Sequence, residues 1–169
     1  PLEVDLGCGK GAFLVWAAGG RPETNFLGVD RLLGRLRKVA AKAERHGADN
    51  VRLLRIESSY FVRYLVPAAS VAAYHIYFPD PWPKRRHRER RLFNGEFVAA
   101  LARSVAAGGV VNAASDDGDY VAAMDELMGG GGEFVAEPPQ PVPVEGQTEF
   151  ERGFLKAGQV IHRRRWRKS

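Results

Sequence analysis

Two stretches of this chain combine residue types that can do chemistry. The first is Phe78-Pro79-Asp80-Pro81-Trp82-Pro83-Lys84-Arg85-Arg86-His87, where three prolines, an acid and an aromatic run straight into a basic cluster. Proline fixes φ and stiffens a turn, so Asp80 is expected on a rigid loop beside a surface that suits phosphates. The apolar residues leading into it, from Val71 to Phe78 with Tyr74, Ile76 and Tyr77 among them, favour a buried strand. The acid then sits just past the C-terminal end of a strand, where open α/β sheets bind ligands. For the basic residues alone, a solvated charge run on a surface turn is the plain alternative.

The second stretch is Asp5-Leu6-Gly7-Cys8-Gly9-Lys10-Gly11, which follows a short apolar segment and opens a helical one. Glycines there let the backbone approach a ligand whose polar groups meet free N–H groups at the helix start, so Gly7, Gly9 and Gly11 read as a nucleotide-type cofactor loop. Gly7, Gly9 and Ala12 also satisfy the dinucleotide pattern that allows Ala at its third position. Asp30, an acid ending the second strand, holds ribose hydroxyls in either cofactor class. Asp5 tips the balance, because it is placed for a cationic amino-acid moiety that NAD lacks and S-adenosylmethionine carries. Glu57, at the end of the third strand, is placed to accept from the adenine amino group or simply to face solvent. Cys8 reads as a small filler of the tight turn rather than a nucleophile.

The elements that must position these residues alternate along the chain. Short apolar strands are expected at 2–6, 26–29, 51–56, 71–77 and 110–114, with helices at 12–18, 32–46, 58–65, 92–106 and 119–128. That alternation specifies an α/β fold with a parallel sheet and helices on both faces. Beyond Met128, Gly129–Gly132 reads as a flexible turn, 133–137 as a possible strand, 138–146 as a proline-rich stretch without regular structure, and 159–166 as a last edge strand. The loop 138–158 is a candidate lid over the site.

The 169 residues read as one domain over 1–169, a length that buries roughly 70% of the unfolded surface. A single cysteine excludes a disulfide framework and a cysteine-based zinc site, and no apolar run approaches the ~20 residues of a membrane span. A cytoplasmic protein with no metal and no membrane partner is expected, as a monomer or a homodimer. The chain lacks an initiator Met and opens on the first strand, so a preceding segment is expected to have been lost. Charge is uneven. Lys84 to Arg91 holds six Lys/Arg and Arg163 to Lys168 five; taking these and Glu89 from totals of 25 basic and 20 acidic residues leaves the remainder net negative by five. A basic patch on an acidic body suits a polyanion, with Trp82 and Trp166 able either to stack beside phosphates or to anchor the core.

Taken together, these motifs resemble the bacterial tRNA (guanine-N7)-methyltransferases of the class I, Rossmann-like methyltransferase superfamily. The resemblance rests on Asp5–Gly11, Asn25–Asp30, Asn50–Leu53, the Phe78–Leu92 run, Ser115-Asp116, Thr148-Glu149-Phe150-Glu151 and Gly158-Gln159. The glycine motif is shared by many methyltransferases, whereas the Pro-Asp-Pro-Trp-Pro-Lys run with its Arg/His tail and the Thr-x-Phe-Glu segment are specific. The resemblance implies seven strands with the last antiparallel, S-adenosylmethionine as donor with S-adenosylhomocysteine as product, and the variable-loop guanosine of tRNA as acceptor. It puts Asp5, Asp30, Glu57 and Asp80 at the donor, with Asp80 also at the reacting centre. Lys84, Asp116, Thr148, Glu149, Phe150 and Glu151 fall at substrate positions, and Arg86, His87, Arg88, Arg90 and Arg91 touch tRNA. The family often has Glu at Asp5 and Asp30, Asp at Glu57 and Thr at Ser115, and its basic N-terminal extension has no counterpart here. Asp80 or Glu151 would read the guanine edge. Rival readings are a methyltransferase acting on exocyclic or protein amino groups, an NAD(P)-dependent oxidoreductase, and a non-catalytic tRNA-binding module. The first usually sets two prolines side by side before the aromatic, and the second needs a proton relay that none of His46, His75, His87 or His162 supplies in a recognisable setting.

Overall fold

A computed structural model describes residues 1–169. Its seven strands, β1 (Leu2–Leu6), β2 (Asn25–Asp30), β3 (Val51–Arg55), β4 (Val71–Tyr77), β5 (Val105–Ser115), β6 (Phe134–Glu137) and β7 (His162–Lys168), form one sheet in the order β3-β2-β1-β4-β5-β7-β6. The first five strands pair in parallel, and β7 alone runs against its neighbours. Strand and helix alternation thus yields the expected α/β architecture, and strand order reverses beside β1, between β1 and β4, which opens a crevice at the C-terminal edge.

Side chains alternate along each strand and feed two cores. One face carries Val4, Tyr74, Ile76, Val111 and Trp166 into a cluster of 21 buried residues under α3 (Ser58–Tyr60, continuing as a π turn over Phe61–Leu65), α4 (Gly95–Ser104) and α5 (Gly118–Gly130). The other face packs Phe26 and Val51 against α1 (Ala12–Gly20) and α2 (Leu33–Arg45) in a cluster of 12. Trp166 is buried in the first cluster, so it is a core anchor and no phosphate reaches it.

Three segments differ from the sequence expectation. β5 begins at Val105, inside the stretch that reads as helix, because Val105 pairs with Val71 and the ladder then shifts register before Ala73. Gly109 makes that irregularity possible: a side chain there would meet the Ala72 carbonyl oxygen at 2.8 Å. β7 is not an edge strand, since β6 pairs along its outer side. The expected lid loop contains a helix, α6 (Glu149–Lys156), reached through a proline-rich crossing in which Gly146 lies against Trp16 of α1.

Candidate active site

β1 delivers Asp5 to the C-terminal edge and the chain then turns through Gly7, Gly9 and Gly11, whose φ angles are +74°, +55° and +74°. These left-handed values favour glycine, which adopts them without a Cβ clash. Gly11 carries a second constraint, because a Cβ on it would stand 2.7 Å from Val39 of α2. Gly7 and Cys8 donate their N–H groups to the Val29 carbonyl at 2.8 and 3.0 Å, which ties the loop to the end of β2. Asp30, the last residue of β2, accepts from Gly9 N at 3.2 Å and Leu32 N at 2.8 Å, with Arg35 at 3.7 Å. Asp5 differs. It is 4% exposed, no protein donor or cation offsets its burial, and desolvation with the Asp30 charge pushes its pKa up to about 7. The Cys8 thiol is buried and burial raises its pKa far above neutrality, as befits a filler.

Glu57 is exposed and caps α3, accepting from Ser59 N at 2.8 Å and Tyr60 N at 2.7 Å. Both of its carboxylate oxygens thus already serve the backbone, the solvent-facing alternative given a structural duty.

β4 delivers the second motif. Phe78 and Trp82 both take positive φ, +56° and +42°, conformations disfavoured for bulky residues and tolerated where surrounding contacts over-determine them. Phe78 N donates to the Ala114 carbonyl at 2.8 Å, and the Phe78 ring packs on Phe154 of α6 with centroids 5.5 Å apart. Asp80 stands exposed between them. Arg85–Arg90 form a 3-10 turn with Lys84 at its N-cap; Lys84, Arg86, Arg88 and Arg90 are exposed, Arg90 lies over the Trp82 ring at 5.0 Å and His87 meets that ring edge-on.

Arg91 departs from the expected surface role. It is 7% exposed, donates from Nε to the Pro81 carbonyl at 2.7 Å and lies over the Tyr120 ring at 4.5 Å. Its Nη2 is buried without a partner. Enclosed in this way, the guanidinium pins the Asp80 loop to α5 rather than standing on the surface with its neighbours. Asp116, half-buried, follows β5 directly, while its neighbour Asp117 caps α5 by accepting from Tyr120 N at 2.8 Å.

The Thr148–Glu151 segment forms the start of α6. Thr148 Oγ1 accepts from Glu151 N at 3.1 Å, Glu149 pairs with Lys10 of the glycine loop at 2.6 Å, and buried Glu151 pairs with Arg163 of β7. Arg163 in turn lies over Tyr77, the last residue of β4, at 5.8 Å. Phe150 is exposed and stacks on Phe154. Sequence reasoning missed the helix, Lys10, Arg163 and Phe154, although Thr148-x-x-Glu151 is a capping-box signature. The basic tail also changes meaning: Arg163, Arg164, Arg165, Arg167 and Lys168 each pair with an acid, respectively Glu151, Asp125, Glu137, Glu137 and Glu133. That charge is spent within the fold.

One edge of the sheet therefore gathers an unpaired buried acid, a backbone-bonded acid, a glycine loop, a strained acidic turn and a helix tethered to the loop and to the turn. No cluster of three or more His, Cys, Asp or Glu side chains is placed to hold a metal ion, and no helix is long and apolar enough to cross a membrane. A family model described as a putative methyltransferase matches residues 1–164. A tRNA (guanine-N(7)-)-methyltransferase of Halorhodospira halophila is 34% identical over 170 residues, spanning 96% of this chain and 72% of that protein. Among solved structures, an rRNA methylase from Streptococcus thermophilus superposes with a TM-score of 0.66 at 16% identity, over 99% of this chain and 86% of its own. A putative methyltransferase from Streptococcus mutans in complex with SAH gives 0.64 at 14%, over 99% and 88%. The structural likenesses give the class I methyltransferase fold, and identity of that extent over 96% of the chain makes it a member of the tRNA (guanine-N7)-methyltransferase family.

Proposed function

We propose that this edge binds S-adenosylmethionine and transfers its methyl group to N7 of a guanosine in the tRNA variable loop. Asp5 carries the reading. A carboxylate almost out of water, raised to about 7 by burial and by Asp30, is completed by a cation placed against it, and the donor's ammonium is such a cation. Asp30 then takes the ribose hydroxyls while it holds the glycine loop, and Glu57 lies one strand further along, on the side expected for adenine.

The bound donor supplies an electrophilic methyl: the N7 lone pair forms the C–N bond as the C–S bond breaks, and that electron pair stays on sulfur. N7 needs no deprotonation, so no strong base is required. The protein's work is to align the two atoms, worth several kcal/mol as effective molarity, and to stabilise positive charge as it passes to the purine. Asp80, on a loop fixed by Phe78, Pro79, Pro81 and the buried Arg91, supplies a carboxylate for that charge. Glu151, oriented by Arg163, is held to accept from the guanine N1–H and amino group, and an adenine in its place leaves buried groups unpaired. The exposed Lys84, Arg86, Arg88 and Arg90 with His87 meet the RNA backbone.

A tRNA transcript in which 7-deazaguanosine replaces guanosine tests the atom. It keeps the base-pairing edge and loses only the nucleophile, so it should bind with unchanged affinity and accept no methyl. Methylation of that transcript at the wild-type rate would exclude N7.

A further inference from the structure

The basic residues of this chain sort into two groups once the structure is known. Those of β7 all face acids, as do Lys10, Arg21 and Arg63. Among the basic residues with no acid within ion-pair distance are the Lys84–Arg90 run and, on one side of α2, Lys38, Lys42 and Arg45. On α2 the residues Arg35, Lys38, Lys42 and Arg45 recur at spacings of three, four and three, which puts them along one stripe beside the buried Leu36, Val39 and Ala43. Arg35, at the head of the stripe, reaches Asp30 at the site, whereas Lys38, Lys42 and Arg45 have no acid within ion-pair distance. Val39, between them, packs directly on Gly11 of the glycine loop. Lys38 and Lys42 also lie close enough to α6 to help lower the pKa of Glu149, after Lys10.

The stripe thus starts at the site and leads away from it. At 1.5 Å per residue it is about 15 Å long, a reach of two to three phosphates. It flanks the glycine loop, with the Arg85–Arg90 turn after β4 in the same sheet edge, so a polyanion crossing the crevice meets unpaired positive charge before and after it. We propose that Lys38, Lys42 and Arg45 of α2 form a second phosphate track for the RNA whose guanosine enters the site, a role that rests on the tRNA reading above. Arg37 provides an internal control, since it is exposed and unpaired on the same helix but lies about 100° round from Lys38.

Fluorescence anisotropy of a labelled tRNA transcript, followed across a salt series, reads the track directly. Replacing Lys38, Lys42 and Arg45 together with Ala should lower the slope of log affinity against log salt by about 1.4–2.7, at ~0.7–0.9 per phosphate. The variant with Lys38→Arg and Lys42→Arg should keep the wild-type slope, and Arg37→Ala should keep it too. Donor affinity measured by calorimetry should be unchanged in all. An unaltered slope in the triple variant overturns the proposal, and so does a drop for Arg37→Ala equal to that of a stripe residue. A triple variant that loses binding to phosphatidylserine vesicles while its tRNA slope is unaltered would assign the stripe to a membrane surface and equally overturn it. The slope is read whether or not the transcript is methylated, so failure of the track and failure of the methyl-transfer reading are separate results.

Discussion

At the end of β1 two carboxylates lie close together with little water, and their partners differ. Asp30 accepts from backbone N–H groups, while Asp5 has neither a donor nor a cation against it. Burial first, and then the Asp30 charge, raise the Asp5 pKa from 3.8 to about 7. The folded value exceeds the unfolded one, so this group favours the folded state below pH 3.8 and that preference is lost as pH rises to about 7. A bound ammonium favours the ionised form, so donor binding below pH 7 must expel a proton. Donor affinity should therefore rise several-fold between pH 6 and about 7.5, where the ammonium itself begins to titrate. Calorimetry in two buffers of different ionisation enthalpy reads that proton release, and Asp5→Asn should abolish it. An affinity flat with pH in the wild type would take Asp5 out of the donor site. The sequence sets Asp5 beside a glycine turn, Asp80 in a proline turn and Asp30 at the end of a strand, and the structure brings all three to the same edge of the sheet. Glu151 was legible as a motif residue, but its partner Arg163 was not, since that pairing exists only once α6 docks on β7.

α6 and the Asp80 turn owe their placement to contacts the linear pattern hides. The proline-rich approach reads as irregular, which it is, and that character masked the capping box and the Phe150/Phe154 spacing just beyond it. Thr148→Ala removes the α6 cap, worth about 1 kcal/mol. It should raise KM for tRNA and leave donor affinity level, as steady-state kinetics and calorimetry would read; an unchanged KM would detach α6 from substrate binding. Arg91 makes the converse point: inside a run of surface arginines it alone is buried, because Tyr120 and the Pro81 carbonyl enclose it. Arg91→Met should lower both melting temperature and kcat while the salt dependence of tRNA binding stays the same. A fall in that slope of ~0.7–0.9 would instead make Arg91 a phosphate contact.

For the molecule as a whole, strand and helix alternation was enough to specify a doubly covered parallel sheet, and the resemblance added the antiparallel last strand. Sequence position could not say that β7 inserts between β5 and β6, because pairing order is decided by which strand completes the ladder of β5. Nor could it distinguish positive charge neutralised inside the fold from positive charge left for a ligand. The tail arginines read as a polyanion surface and prove to be ion-paired strand residues, whereas α2 looked unremarkable and carries free charge. The proposed function of the molecule comes down to one reaction. Incubating the protein with methyl-labelled S-adenosylmethionine and an unmodified tRNA transcript, then digesting to nucleosides, should yield label in 7-methylguanosine alone. Mapping should place it in the variable loop, and Asp80→Asn should reduce its rate by more than tenfold with a smaller change in tRNA affinity. Label in any other nucleoside, or none in 7-methylguanosine, would contradict the assignment.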